Sequence, residues 1–309
     1  MLSRPSPRTV RRLALASVVA NSAIVVTGGA VRLTASGLGC QTWPRCTATT
    51  YTPTPEYAVH GLIEFGNRLL TFVLTAVVVA LVVAALRARP RRHDLVRSAV
   101  LGALGIPAQA LLGGITVLTG LNPWTVMGHF LLSMVLIALA VVLHVRAGEG
   151  DLPRRTVVRD PLRPLAVGLL ALTAAVLAVG TVVTGSGPHS GDAAAGRTGL
   201  DPAAMSQLHA DLVFLLVGGT VGLWVALRAT GAPAGAVRAA LVLLGVELAQ
   251  GLVGFAQYFS DLPVLLVGLH LAGSCVVLVA AVRVVLATRD RGSLGALPVL
   301  DGARDLQPA

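Results

Sequence analysis

The chain has 309 residues, 55% of them hydrophobic and only 12% charged, and its mean hydropathy is +0.79. That composition excludes an ordinary soluble domain and calls for lipid as the main solvent. The net charge of +10 comes from 24 arginines and no lysine; the arginines fall between apolar runs, so they read as a topology signal, and nucleic acid is set aside as a partner.

Apolar runs of about 20 residues, enough for a hydrocarbon core of roughly 30 Å, recur at 13–33, 58–86, 98–118, 124–145, 165–184, 204–227, 239–258 and 263–287. They predict an all-α integral membrane protein of eight transmembrane helices. The first run follows a basic start, as a signal peptide does, but no small-residue cleavage site precedes Arg32, so it is read as a retained helix. The long segment 34–57 then carries Cys40 and Cys46 around Trp43-Pro44-Arg45. Outside the membrane such a pair can persist as a disulfide, and the spacing fits a structural staple and a redox pair equally.

The second span reads His60-Gly61-Leu62-Ile63-Glu64-Phe65-Gly66-Asn67-Arg68. Glu64 and Arg68, one turn apart, make an ion pair that a bilayer tolerates. His60 shares their face, and a carboxylate between a candidate iron ligand and an arginine can also do acid/base work or orient an anionic cofactor.

The third span contains Gln109 and Gly113, with His129 of the fourth span following 16 residues later; the seventh contains Gln250 and Gly254, and His270 of the eighth again follows by 16. Pro123 and Pro263 sit in the turns between, and Val25-Val26-Thr27-Gly28 is echoed by Val182-Val183-Thr184-Gly185. These echoes predict two parallel-repeat four-helix bundles, 13–146 and 165–287, related by an axis along the membrane normal. A linker, 147–164, joins them, and tails occupy 1–12 and 288–309. With both termini cytoplasmic, the inner segments, together with Arg283 at the inner end of the last span, hold 20 of the 24 arginines. Arg32, Arg45 and Arg197 lie outside and Arg68 within a span, which predicts a multi-pass plasma-membrane protein with both tails inside.

Of seven histidines, His93 and His144 fall at inner ends and His189 in the outer loop 185–205, and all three are read as solvated. His60, His129, His209 and His270 each stand near the outer end of an even-numbered span, in one layer. A hydrogen bond to a neighbouring helix would account for one such imidazole; four at one depth point to a site. His209 and His270 come from two helices of one bundle, the way axial ligands reach a haem iron. Zinc would need four ligands, and Cys275, over a turn deeper than His270, reads as a buried apolar side chain. Asp211 is read as hydrogen-bonding within the bundle, and Glu247 receives no role.

The stretch Thr27-Gly28-Gly29-Ala30-Val31-Arg32-Leu33-Thr34-Ala35-Ser36-Gly37-Leu38-Gly39-Cys40, continued by Trp43-Pro44-Arg45-Cys46, then Ile63-Glu64-Phe65-Gly66-Asn67-Arg68 and the histidines of the fourth, sixth and eighth spans together resemble the haem A synthase family. The resemblance extends over essentially all eight spans. It implies oxidation of the C8 methyl group of haem O to a formyl group by successive hydroxylations, for cytochrome oxidase biogenesis. It also implies a haem B cofactor between His209 and His270 in the C-terminal half, and substrate haem facing His129 in the N-terminal half. Glu64 would be the catalytic carboxylate, and Cys40 with Cys46 the outer-loop cysteine pair. Many members carry histidine where this chain has Asn67. Either His60, about 10 Å along the helix axis at 1.5 Å per residue, substitutes, or the substrate iron has His129 with a weaker or absent partner. Arg32 and Arg68 are candidates for the haem propionates, with an interfacial anchor the simpler role for Arg32. Haem O synthase, an electron donor and a second copy of the chain are further candidate partners. A plain electron-transfer cytochrome b and a transporter are the rival readings.

Overall fold

The computed structural model describes residues 5–55, 58–292 and 294. Its eight helices are α1 (Pro7–Leu33), α2 (Ala58–Arg87), α3 (His93–Leu118), α4 (Pro123–Gly148), α5 (Leu162–Ser186), α6 (Pro202–Ala229), α7 (Ala234–Phe259) and α8 (Val264–Ala287). All are long and apolar enough to cross a membrane, and each of the eight expected spans is present. They outrun the apolar stretches mainly at the arginine-rich end, where charged side chains carry the helix beyond the hydrocarbon. Most of the two predicted tails is outside the description: residues 1–4, 293 and 295–309 lie outside the described residues.

Three helices start on a polar cap followed by proline. Ser6 accepts from Thr9 N, Asn122 from Trp124 N and Asp201 from Ala204 N, with Pro7, Pro123 and Pro202 next in line. A side-chain oxygen satisfies one orphan N–H, and proline at the first helical position forfeits none.

Helices α1 to α4 form a ring in which each packs on the next and α4 returns to α1; α5 to α8 do the same. The rings meet through α4 on α8, α1 on α8 and α4 on α5. Exchanging every helix for the one four places along leaves this set of contacts unchanged. The apolar cluster at the seam shows the same correspondence by residue: Val18 with Leu170, Val25 with Leu177, Met134 with Cys275, Ile137 with Leu278 and Val141 with Val282, at one constant offset within each helix pair. Inside the rings, Leu74, Val78, Leu81 and Ala85 of α2 are buried in step with Leu216, Thr220, Leu223 and Leu227 of α6. The turns match as well. Gly120-Leu121 and Asp261-Leu262 all take left-handed φ, and Leu121 N donates to Thr116 O where Leu262 N donates to Gln257 O.

This register corrects one echo. Val25 corresponds to Leu177, so Gly28 corresponds to Gly180, and Val182–Gly185 falls out of that register as a likeness of composition in a chain rich in valine and glycine. In the same register Asn67 corresponds to His209 and His60 to Pro202, the first residue of α6.

At the arginine-rich end, the linker pairs with the chain beyond α8 as two short antiparallel strands, β1 (Arg155–Thr156) and β2 (Arg289–Asp290), the one departure from an all-α fold among the described residues. Arg146 is buried among Asp94 at 2.7 Å, Asp151 at 3.2 Å and Glu149 at 3.3 Å; Arg92 reaches Asp151 at 2.8 Å and Arg289 reaches Glu149 at 3.4 Å. Burial holds the Arg92 and Arg289 guanidinium groups below their usual pKa, with Arg146 nearby acting in the same direction on both. These arginines are therefore structural as well as topological. His144, expected to be solvated, is partly buried and bonds the Arg11 carbonyl through Nδ1 at 3.1 Å, joining α4 to α1.

Candidate functional site

His209 on α6 and His270 on α8 approach each other across the second ring, with centroids 6.3 Å apart and planes inclined by 72°. Each ring lies in a notch left by a glycine on the preceding helix. A Cβ on Gly180 would stand 3.0 Å from His209 Cε1, and one on Gly254 3.3 Å from His270 Cε1. His129 in the first ring has the same arrangement, with Gly113 at 3.0 Å. Nδ1 of all three imidazoles is buried without a hydrogen-bond partner. The Val176 carbonyl lies beside His209 and the Gln250 carbonyl beside His270, neither in good hydrogen-bond geometry. An orphaned imidazole nitrogen in an apolar bundle costs free energy unless the ring serves another partner.

Two glutamines fix the helices that carry these rings. Gln109 Nε2 donates to the His129 carbonyl at 3.1 Å, and Gln250 Nε2 to the His270 carbonyl at 2.8 Å. The repeated Gln and Gly positions thus have separate roles, the first tying the helix backbone and the second clearing space for the ring. Gly180 carries no echo in the sequence and is recognisable only from the fold.

In the first ring the counterpart of His209 is Asn67. A Cβ on Gly28 would meet Asn67 Nδ2 at 3.7 Å, the placement Gly180 has beside His209, while the Asn67 Oδ1 accepts from the Thr27 hydroxyl at 2.7 Å. His60 is exposed, near the start of α2, and its Nδ1 shares a 2.9 Å hydrogen bond with the Ser36 hydroxyl. It does not share the layer of the other three, and the expectation of four histidines at one depth is corrected to three histidines and an asparagine. Seven residues of helix, about 10 Å, separate His60 from Asn67.

Glu64 and Arg68 hold the first long loop. Cys40 and Cys46 are disulfide-bonded, and Cys40 N donates to Glu64 Oε2 at 2.6 Å. Arg68 pairs with Glu64 Oε1 at 2.5 Å and donates to the carbonyls of Cys40, Thr42 and Arg45. Both groups are thereby satisfied within protein, the condition for charges in a bilayer. The loop lays the Trp43 indole against Gly114, next to the glycine that clears His129; a Cβ on Gly114 would overlap the ring. The disulfide loop therefore covers the first ring at the level of its histidine.

Arg32 joins the two long loops. Its Nε donates to the His189 carbonyl at 2.5 Å and Nη2 to the Thr184 carbonyl at 3.0 Å, while Gly37 N donates to Gly191 O at 2.9 Å. His189, expected to be solvated, is partly buried and donates through Nε2 to the Leu262 carbonyl at 2.9 Å, so the second loop is also fastened to the α7–α8 turn. Asp211 is exposed and accepts from Gln207 at 2.7 Å, away from the histidine rings. Glu247 is buried and accepts from Thr220 at 3.0 Å, with Oε2 unpartnered. Among the described residues no three His, Cys, Asp or Glu gather as a metal cluster, and Cys275 packs in the seam, so the tetrahedral zinc alternative finds no ligand set.

Residues 11–190 match the family model COX15-CtaA, described as cytochrome oxidase assembly protein. Among curated relatives, the chain is 32% identical over 162 residues to Heme A synthase of Methylobacterium sp. (strain 4-46), covering 48% of this chain and 44% of the relative. It is 31% identical over 147 residues to Heme A synthase of Lysinibacillus sphaericus (strain C3-41), covering 47% of each. With Heme A synthase of Halalkalibacterium halodurans it shares 29% over 163 residues, 52% of this chain and 54% of the relative. The chain spans about half the length of the curated relatives it matches. With more than half of its residues matched by that model, the chain belongs to the COX15-CtaA family of cytochrome oxidase assembly proteins.

Proposed function

We propose that this chain is a haem A synthase, which holds haem B between His209 and His270 and oxidises the C8 methyl group of haem O, bound in the first ring, to a formyl group by successive hydroxylations. One observation carries the reading: the 6.3 Å between the two ring centroids. Two imidazoles bound on opposite sides of one iron, with metal–nitrogen bonds of about 2 Å, have centroids about 6 Å apart. The glycine notches that seat the rings fit the same group. Family membership and the names of the relatives support the chemistry.

The bound cofactor supplies redox equivalents that no side chain can. The residues position and shield the substrate. His129, seated against Gly113, presents an imidazole to the substrate haem; Trp43 and the loop around it exclude water from that face. Glu64 lies under the loop as the carboxylate for proton exchange, held by Cys40 N at Oε2 and by Arg68 at Oε1. Arg32 and Arg68 already bond backbone carbonyls, and in this reading their positive charge bears on the propionates from behind those bonds. The arginine-rich end faces the cytoplasm, which puts both histidine layers near the outer face.

The test is the haem extracted from membranes that express the chain together with a supply of haem O and a working reductant. Formyl or hydroxylated haem is the expected product. His209→Ala or His270→Ala should remove the low-spin haem B spectrum, and Glu64→Ala should keep it while abolishing turnover. Unchanged haem O beside an intact spectrum would leave an electron-transfer cytochrome; a purified protein without Soret absorption would remove haem altogether.

A further inference from the structure

Asn67 breaks the correspondence between the rings at the position that matters most for an iron. Around the two sites four glycines face four side chains: Gly180 and His209, Gly254 and His270, Gly113 and His129, Gly28 and Asn67. Three are imidazoles, the fourth an amide. The amide is oriented: Oδ1 accepts from Thr27 Oγ1 at 2.7 Å, which leaves the NH2 group as a donor near Gly28, where His209 puts its ring in the other half. An amide nitrogen has no free lone pair, so it donates hydrogen bonds and does not ligate iron, and the carbonyl oxygen is committed to Thr27. His60 does not fill the gap, since its counterpart is Pro202, its Nδ1 is bonded to Ser36, and it lies about two turns away along α2.

We infer that the first ring binds its haem through His129 alone, and that the opposite face of the iron is an open coordination position for a small axial ligand of the carbon monoxide, dioxygen or cyanide class, with Asn67 Nδ2 as its hydrogen-bond donor. The inference rests on the haem reading above. It makes the two halves chemically unequal: a bis-imidazole iron is closed to added ligands, and a mono-imidazole iron beside a polar donor is open to them, because distal hydrogen bonding and steric access decide small-ligand binding at haem. Thr27, by holding Oδ1, is the positioning residue.

The experiment uses the full-length protein in detergent, loaded to two haems per chain, reduced with dithionite and titrated with carbon monoxide. About half of the haem is expected to form the carbonyl complex, with the bis-imidazole half unchanged. His129→Ala should remove the reactive fraction. Asn67→His should convert that haem from high spin to low spin and weaken carbon monoxide binding by about tenfold or more, because an imidazole then occupies the position. Asn67→Leu should keep carbon monoxide binding and move the C–O stretch to higher wavenumber through loss of the donor. Two bound haems with no carbonyl complex, or Asn67→His with unaltered spin state and affinity, would overturn the open position. An unshifted C–O stretch in Asn67→Leu would overturn the donor. A chain that takes up no haem in the first ring, judged by identical haem content in wild type and His129→Ala, sinks the functional reading itself and this inference with it.

Discussion

A histidine in a membrane span announces itself by its cost, and His129, His209 and His270 were legible for that reason. The role of the glycines opposite them was not: Gly113 and Gly254 stood out only as members of a repeat, and Gly180, in a chain with 34 glycines, carries no signal until a neighbouring ring defines the space it leaves. Their role is testable. Gly180→Val and Gly254→Val place branched carbon where a Cβ alone would already stand 3.0 Å and 3.3 Å from the imidazoles. Each should reduce haem content by about tenfold, a loss of about 1.4 kcal/mol in binding, while Gly251→Val, with nothing within 4 Å, should leave it intact. The haem-to-protein ratio of the purified variants decides. Glu64 and Arg68 were legible as a pair, but the loop backbone they hold was not, since the pattern of one helix says nothing about which distant N–H will meet it. Arg68→Ala should therefore speed protease cleavage of the 40–46 loop far more than Glu64→Gln, which keeps an oxygen for Cys40 N–H.

At the scale of elements, eight apolar runs with arginines clustered between them at one end were enough to place every helix, because a single run of about 20 residues satisfies its own backbone hydrogen bonds in lipid only as a helix. The α1 to α5 register escaped, since four residues drawn from valine, threonine and glycine recur by chance, whereas the spacing of Gln, Gly and His in α3–α4 and α7–α8 did not mislead. The β1–β2 pair had no sequence signature at all, being two residues long on each side with no alternating pattern. Beside it, Arg146 connects α4 to the carboxylates of α3 and the linker. Removing a partner from an exposed pair costs about 0–1 kcal/mol and from a buried one about 3–5. Arg146 is buried and its partners are half-exposed or better covered, so Arg146→Ala should cost about 2 kcal/mol. Thermal unfolding in detergent should show that loss, with the exposed Arg89→Ala as a neutral comparison.

Over the whole molecule the two rings share one packing scheme and differ in the chemistry each displays, and that difference lies in single residues such as Asn67 and His209 rather than in the helices that carry them. The seam has a further consequence. Helix α4 meets α8 across it, and Ile137 with Leu278 and Val141 with Val282, each from the same place in its own ring, are buried in that one cluster. A surface whose partner is its own likeness is isologous, the geometry of a two-fold dimer. Cut between α4 and α5, the gene should yield fragments that reassociate when made together, and that form competing like-with-like dimers when made alone. Size-exclusion chromatography with light scattering would count them, and a covalent chain is then the device that keeps an unequal pair from sorting into two equal ones.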